Sequence, residues 1–94
     1  ERYGDLGKGV VDIEKGIIAL GGELHSDAEE ILLKSGSKQQ NLWGANIYPD
    51  KNDEEQLEYA SLINIRPSQN NFGLEIIDEN LRQKIKNIVD KLLP

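Results

Sequence analysis

Apolar residues along this chain change period several times, and each change marks an element. Lys8-Gly9-Val10-Val11-Asp12-Ile13 and Gly16-Ile17-Ile18-Ala19-Leu20 are β-branched runs separated by Glu14-Lys15. With Gly16 able to take the positive φ of a tight turn, they predict a β-hairpin. Ser26-Asp27-Ala28-Glu29 then has the spacing of a capping box, Ser26 as N-cap and Glu29 reaching back. Ala28, Ile31, Leu32 and Leu33 supply the apolar face of the short helix that follows, Lys34 suits its C-terminal end and Gly36 closes it. From Leu42 to Tyr48 the pattern alternates, with Trp43, Ala45 and Ile47 on one side and Leu42, Gly44, Asn46 and Tyr48 on the other. Alternation returns from Leu57 to Arg66, and Pro49 with the polar stretch from Asp50 to Gln56 joins the two strands as a long hairpin. Pro67 ends the second strand and Ser68 to Asn71 form a polar loop. Asp78 caps a helix in which Leu81, Ile85, Ile88, Val89, Leu92 and Leu93 recur at helical spacing. The order β-β-α-β-β-α predicts an α+β fold, an antiparallel or mixed sheet built from two hairpins with both helices packed on one face.

With 94 residues, the chain is one small domain spanning residues 1–94, without internal repeats. It opens on Glu1 and contains no methionine, so the start of the gene product is expected upstream. A net charge of -6, with no clustered lysines or arginines, argues against nucleic acid as a partner. The apolar runs fall far short of the ~20 residues that cross a bilayer, and no signal peptide is visible, so a membrane partner is not expected and the cytoplasm is the expected compartment. Absence of cysteine removes disulfides, thiolate nucleophiles and cysteine-based zinc sites.

Candidate chemistry gathers first at Gly21-Gly22-Glu23-Leu24-His25-Ser26-Asp27, where a strand end, a glycine hinge, the only histidine and a helix start coincide. Glu23, His25 and Asp27 are too few and too poor in histidine for an ordinary zinc set, so no metal and no cofactor is expected. A second cluster comes from strand alternation: Asn46 and Tyr48 on one strand and Asn64 and Arg66 on its neighbour share a face. Arg66 there can grip a small anionic ligand, with Ser68, Gln69 and Asn71 adding uncharged contacts. The competing reading pairs Arg66 with Glu58 or another surface carboxylate. Trp43 beside Gly44 is either a stacking platform or, as Ala45 and Ile47 on its face favour, part of the core. Other motifs fail. Asp50-Lys51-Asn52-Asp53-Glu54-Glu55 lacks the glycine of a calcium loop, Gly4-Asp5-Leu6-Gly7-Lys8-Gly9 leads into a strand without the Ser or Thr of a phosphate loop, and no G-x-S-x-G elbow surrounds any serine.

The chain resembles the DUF5674 family of small prokaryotic proteins. The likeness rests on Val10 to Gly16, Gly21 to Glu29, Asn41-Leu42-Trp43-Gly44, Asn46-Ile47-Tyr48-Pro49 and Ile63 to Gln69. It spans nearly the whole chain and implies no assigned activity. It also implies a further N-terminal strand and helix, of which Glu1 to Gly7 are at most the end. Related sequences carry basic residues shortly after the Gln69 to Asn71 loop, where this chain has Phe72-Gly73-Leu74, which weakens an anion site in that loop.

Three functional expectations follow. The first is a ligand-binding or regulatory module with a polar patch of Glu23, His25, Asn46, Asn64 and Arg66. The second is a small hydrolase or transferase with His25 as general base, oriented by Glu23 or Asp27, and Arg66 stabilising negative charge; it requires His25 and Arg66 to flank one cleft. The third is a structural homo-oligomer with an apolar surface around Leu6, Trp43 and Phe72.

Overall fold

The computed structural model describes residues 7–21, 24–48, 51 and 55–93. Strands β1 (Gly7–Asp12), β2 (Ile17–Leu20), β3 (Leu42–Ile47) and β4 (Leu57–Glu58) form one antiparallel sheet in the order β2-β1-β3-β4, and helices α1 (His25–Lys34) and α2 (Glu79–Leu92) complete an α+β fold. β1 lies between β2 and β3, and its Val10 and Val11 are both fully buried, one on each face of the sheet.

That double burial decides the layering. Val10 and Leu42 pack with Ala28 and Leu32 of α1, whereas Val11, Trp43 and Ile47 pack with Ile85 and Val89 of α2. The helices therefore cover opposite faces, which corrects the expectation that both lie on one. A strand with apolar neighbours at successive positions needs cover on both sides. Alternation within β3 is as expected, and Trp43 is core, 2% exposed.

The β1–β2 turn is organised by Asp12. Its Oδ1 accepts the N–H groups of Glu14 and Lys15, both at 2.9 Å, and Gly16 closes the turn with φ of 69°. Helix α1 begins earlier than its sequence suggests. Leu24 is the N-cap, and Asp27 Oδ2 accepts the Leu24 N–H at 3.2 Å, so Asp27 takes the place expected of Glu29 and Ser26 lies inside the helix. The three-residue spacing holds with a shifted frame, because an acidic side chain at N3 suffices to bind the cap N–H. The helix ends at Gly36 (φ 103°), where Ser37 N–H donates to Leu32 O. Ile31 and Leu33, expected inside, are exposed.

The long second strand is the largest departure. β4 is only two residues; Ala60 then bridges to Glu75, and the chain turns through the 3-10 segments Leu62–Asn64 and Pro67–Gln69. Where β4 would continue along β3, the Asn64 side chain takes over. Its Oδ1 accepts the Gly44 N–H at 2.8 Å and its Nδ2 donates to Gly44 O at 3.0 Å, the two bonds a neighbouring strand would make. Gly44 permits that approach: a Cβ there would lie 2.8 Å from Ser61 Cβ and Oγ and 3.1 Å from His25 Cδ2. Helix α2 starts at Asp78 as expected, the carboxylate accepting the N–H groups of Asn80 and Leu81. No helix among the described residues is long and apolar enough to cross a membrane.

Candidate functional site

His25 sits in the first turn of α1 and is 8% exposed. Its Nε2 lies 2.8 Å from Ala45 O. A carbonyl only accepts, so Nε2 carries the proton and Nδ1 is left with its lone pair. Burial pushes the imidazole below its ordinary pKa, and the Lys8 ammonium adds to this against the opposing bond to Ala45, so the ring is neutral at pH 7. Among the described residues Nδ1 has no partner.

His25 lines a groove of about 400 Å³ between the N-terminus of α1 and the segment 60–63. Leu24, Leu62 and Leu74 give it an aliphatic surface and are 58%, 76% and 47% exposed, unusual values for leucine. Lys8 and Asn46, adjacent partners across β1 and β3, line it too. Among the described residues Lys8 makes no ion pair. Asn46 donates to Glu58 Oε1 at 2.8 Å, and Tyr48 OH donates to the same oxygen at 3.3 Å, so a carboxylate holds these two strand residues.

Arg66 and Gln69 belong to a second groove, about 570 Å³, with Glu29, Gln39 and Gln40. Leu62 and Ile63 line both grooves. The Arg66 guanidinium is largely engaged: it donates to Leu42 O at 2.7 Å, Ile63 O at 2.9 Å and Gln40 O at 3.3 Å, and its centre lies 4.3 Å from the Trp43 ring centroid. It seals the free edge of β3 beyond the reach of β4. The alternative pairing with Glu58 is absent, and among the described residues Arg66 makes no ion pair.

The sequence-derived patch is therefore divided. His25 and Asn46 share one groove, Arg66 and Gln69 the other, and Tyr48 is tied to Glu58. Asn64 is fully buried and structural, with Asn71 Nδ2 donating to its carbonyl at 2.8 Å. Asp27 caps α1 and does not hold His25. Glu23 and Leu6 lie outside the described residues. Trp43 and Gln69 also line a smaller hollow of about 230 Å³ beside the N-terminus of α2. Trp43 is 2% exposed, and its Nε1 is buried without a hydrogen-bond partner among the described residues, so the ring belongs to the core. Of the two described residues of the apolar surface expected for an oligomer, Phe72 is exposed and Trp43 is buried.

Sequence reasoning missed Lys8, Leu62 and Leu74 as groove residues, and Asp12 as a buried carboxylate. Lys8 carried a usable signal, since it falls on the same face of β1 as Val10 by period two. Leu62 and Leu74 carried none, because their placement depends on the turn that ends β4. Asp12 is fully buried, with Ser37 Oγ donating to its Oδ2 at 2.6 Å. Burial alone would raise this carboxyl, but Ser37, the two turn amides and Lys15 outweigh it and hold it below the ordinary aspartate value.

Among the described residues no three His, Asp or Glu side chains gather as a metal set. Comparison with curated proteins and with solved structures returns no match. The family comparison does: residues 1–92 match a family described as a protein of unknown function, and the chain thus belongs to DUF5674.

Proposed function

We propose that the protein is a binding module that takes a ligand with an aliphatic body and a polar head in the groove between α1 and the segment 60–63. The observation that carries this reading is His25. Its ring is nine-tenths buried, fixed through Nε2 and held neutral, which leaves Nδ1 an acceptor without a partner among the described residues, and His25 lines a groove that also presents three exposed leucines. Leucine side chains displayed to water gain about 25 cal/mol for each Å² of apolar surface that a ligand covers. Lys8 and Asn46 supply the polar end. The acid–base reading draws no such support, because His25 and Arg66 line different grooves and the guanidinium is occupied by three carbonyls.

A thermal-shift series of short aliphatic alcohols, amides and carboxylates tests the proposal, since a ligand that binds only the folded state raises Tm. Stabilisation is expected in the native protein and is lost in Leu62→Asp, a change at an exposed position that the fold tolerates. His25→Gln retains a donor for Ala45 and moves the acceptor, so it alters the ranking of head groups. A series that raises Tm for no member, or equally in Leu62→Asp, refutes the reading.

A further inference from the structure

The sheet has two unlike margins. Along β3, where β4 stops, Asn64 and Arg66 satisfy main-chain groups that a strand would otherwise meet. The opposite margin is β2, and the phase of the β1–β2 ladder identifies its outward groups. Gly21 N–H donates to Lys8 O at 3.1 Å, so the hydrogen-bonded pairs are Lys8 with Gly21, Val10 with Ala19 and Asp12 with Ile17. Ile18 and Leu20 therefore turn both N–H and C=O away from β1, and among the described residues these groups have no partner. Ile17 and Leu20 are also exposed, 37% and 39%. Natural edge strands are commonly guarded by a lysine or a proline, and Ile17-Ile18-Ala19-Leu20 contains neither. None of these residues lines either groove, so the feature is independent of the binding reading.

We propose that β2 pairs with β2 of a second copy of this chain, antiparallel across a twofold axis at Ala19, so that two four-stranded sheets join into one. A second copy is the occupant because the strand is complementary to itself. With Ala19 opposite Ala19, Ile18 and Leu20 of one copy exchange both main-chain bonds with Leu20 and Ile18 of the other, and every outward group of the strand is used. Any other antiparallel register within the strand pairs only Ile18 or only Leu20 and makes half as many bonds. The closely spaced pairs that alternate with the bonded ones carry little bulk. Ala19 meets Ala19, and Ile17 meets Gly21, where a Cβ would find nothing within 4 Å. On the other face Ile18 and Leu20 meet across the seam and prolong the apolar layer that packs on α2. The strand itself carries no charge, so two copies of a chain of net charge -6 meet there without a like-charge contact.

Sedimentation equilibrium of the whole protein tests this, together with single-cysteine variants of a chain that has no cysteine of its own. A short ladder makes a weak dimer, so the native protein is expected to pass from one chain to two as its concentration rises through the micromolar range. Leu20→Lys puts a charge on the seam and is expected to raise the dissociation constant about tenfold or more. Ala19→Cys sets two thiols across the axis at a Cα separation of about 4.5 Å, within reach of a disulfide, whereas Ile17→Cys leaves them roughly 13 Å apart along the strands. Under mild oxidation Ala19→Cys is expected to give a disulfide-linked dimer and Ile17→Cys little of one. If circular dichroism shows that Leu20→Lys does not fold, the two cysteine variants decide. A native protein that remains one chain up to about 1 mM overturns the proposal and leaves the edge to another segment of this chain or to a strand of another protein. A dimer that persists in folded Leu20→Lys, or that links through Ile17→Cys as readily as through Ala19→Cys, also overturns it, because the copies then meet elsewhere.

Discussion

Asn64→Asp replaces the amide NH2 by an oxygen with little change in shape, and it probes the feature on which this fold most depends. The native amide accepts from Gly44 N–H at 2.8 Å and donates to Gly44 O at 3.0 Å and to Leu74 O at 3.2 Å, all with the residue fully buried. An aspartate keeps the first bond and turns an oxygen toward two carbonyls. Two lost bonds at about 1 kcal/mol each, with the Gly44 carbonyl left unsatisfied at about 1–3 kcal/mol while Leu74 O keeps the Ser61 N–H, set a cost of roughly 3–5 kcal/mol at pH 7. A domain of this size has about 5–14 kcal/mol in all, so the loss is a large share. Protonation restores one donor, so the folded pKa of the new carboxyl lies above its unfolded value. The folded variant then binds more protons than the unfolded one, and its deficit shrinks as pH falls from 7 toward 4. Denaturant unfolding followed by Trp43, the only tryptophan and a buried one, measures this directly. A deficit under 1 kcal/mol at pH 7, or one that does not shrink on acidification, refutes the account of Asn64 as a substitute strand.

Gly44→Ala places a methyl 2.8 Å from Ser61 and 3.1 Å from His25 Cδ2, and overpacking of this kind costs about 1–3 kcal/mol, read by the same denaturation. Arg66→Lys keeps the charge but cannot span three carbonyls or stack on Trp43. A loss of about 1–3 kcal/mol with a shift in Trp43 emission is expected, and an unchanged spectrum counts against the stacked geometry. Acidification has two stages. The depressed His25 pKa means stability is complete above the ordinary histidine value of 6.5 and declines as pH falls below it; the depressed Asp12 pKa adds a second decline below 3.8. Stability measured against pH in His25→Gln is expected to lack the first decline, and in Asp12→Asn the second.

Much of the fold was legible locally. The hairpin of β1 and β2, the Asp78 cap, the Gly36 stop and the alternation in β3 each follow from a few neighbouring residues whose conformational preferences coincide. Position 27 shows the limit of that logic: Ser26-Asp27-Ala28-Glu29 offers two overlapping caps, and the docking of His25 against Ala45 is compatible with the earlier one. The candidate site was legible as residue types. His25, Asn46, Arg66 and Gln69 do line grooves, but not a common one, because the patch assumed that alternation from Leu57 ran unbroken to Arg66. Period two is a property of a chain that stays extended, and the turn at 62–64 ends it.

What the sequence determined by itself is the set of elements, the core identity of Trp43 and the family, since these rest on local spacing and on residue order. Tertiary structure decided which helix covers which face, that Asn64 replaces a strand at Gly44, that Arg66 caps the edge of β3, and that Lys8 and His25 line one groove. Each of those joins segments far apart in the chain: the layering follows from Val10 and Val11 needing cover on both faces, and the places of Asn64 and Arg66 from buried carbonyls and amides needing partners. No window of neighbouring residues contains that requirement, because the group to be satisfied and the side chain that satisfies it meet only when the sheet is assembled.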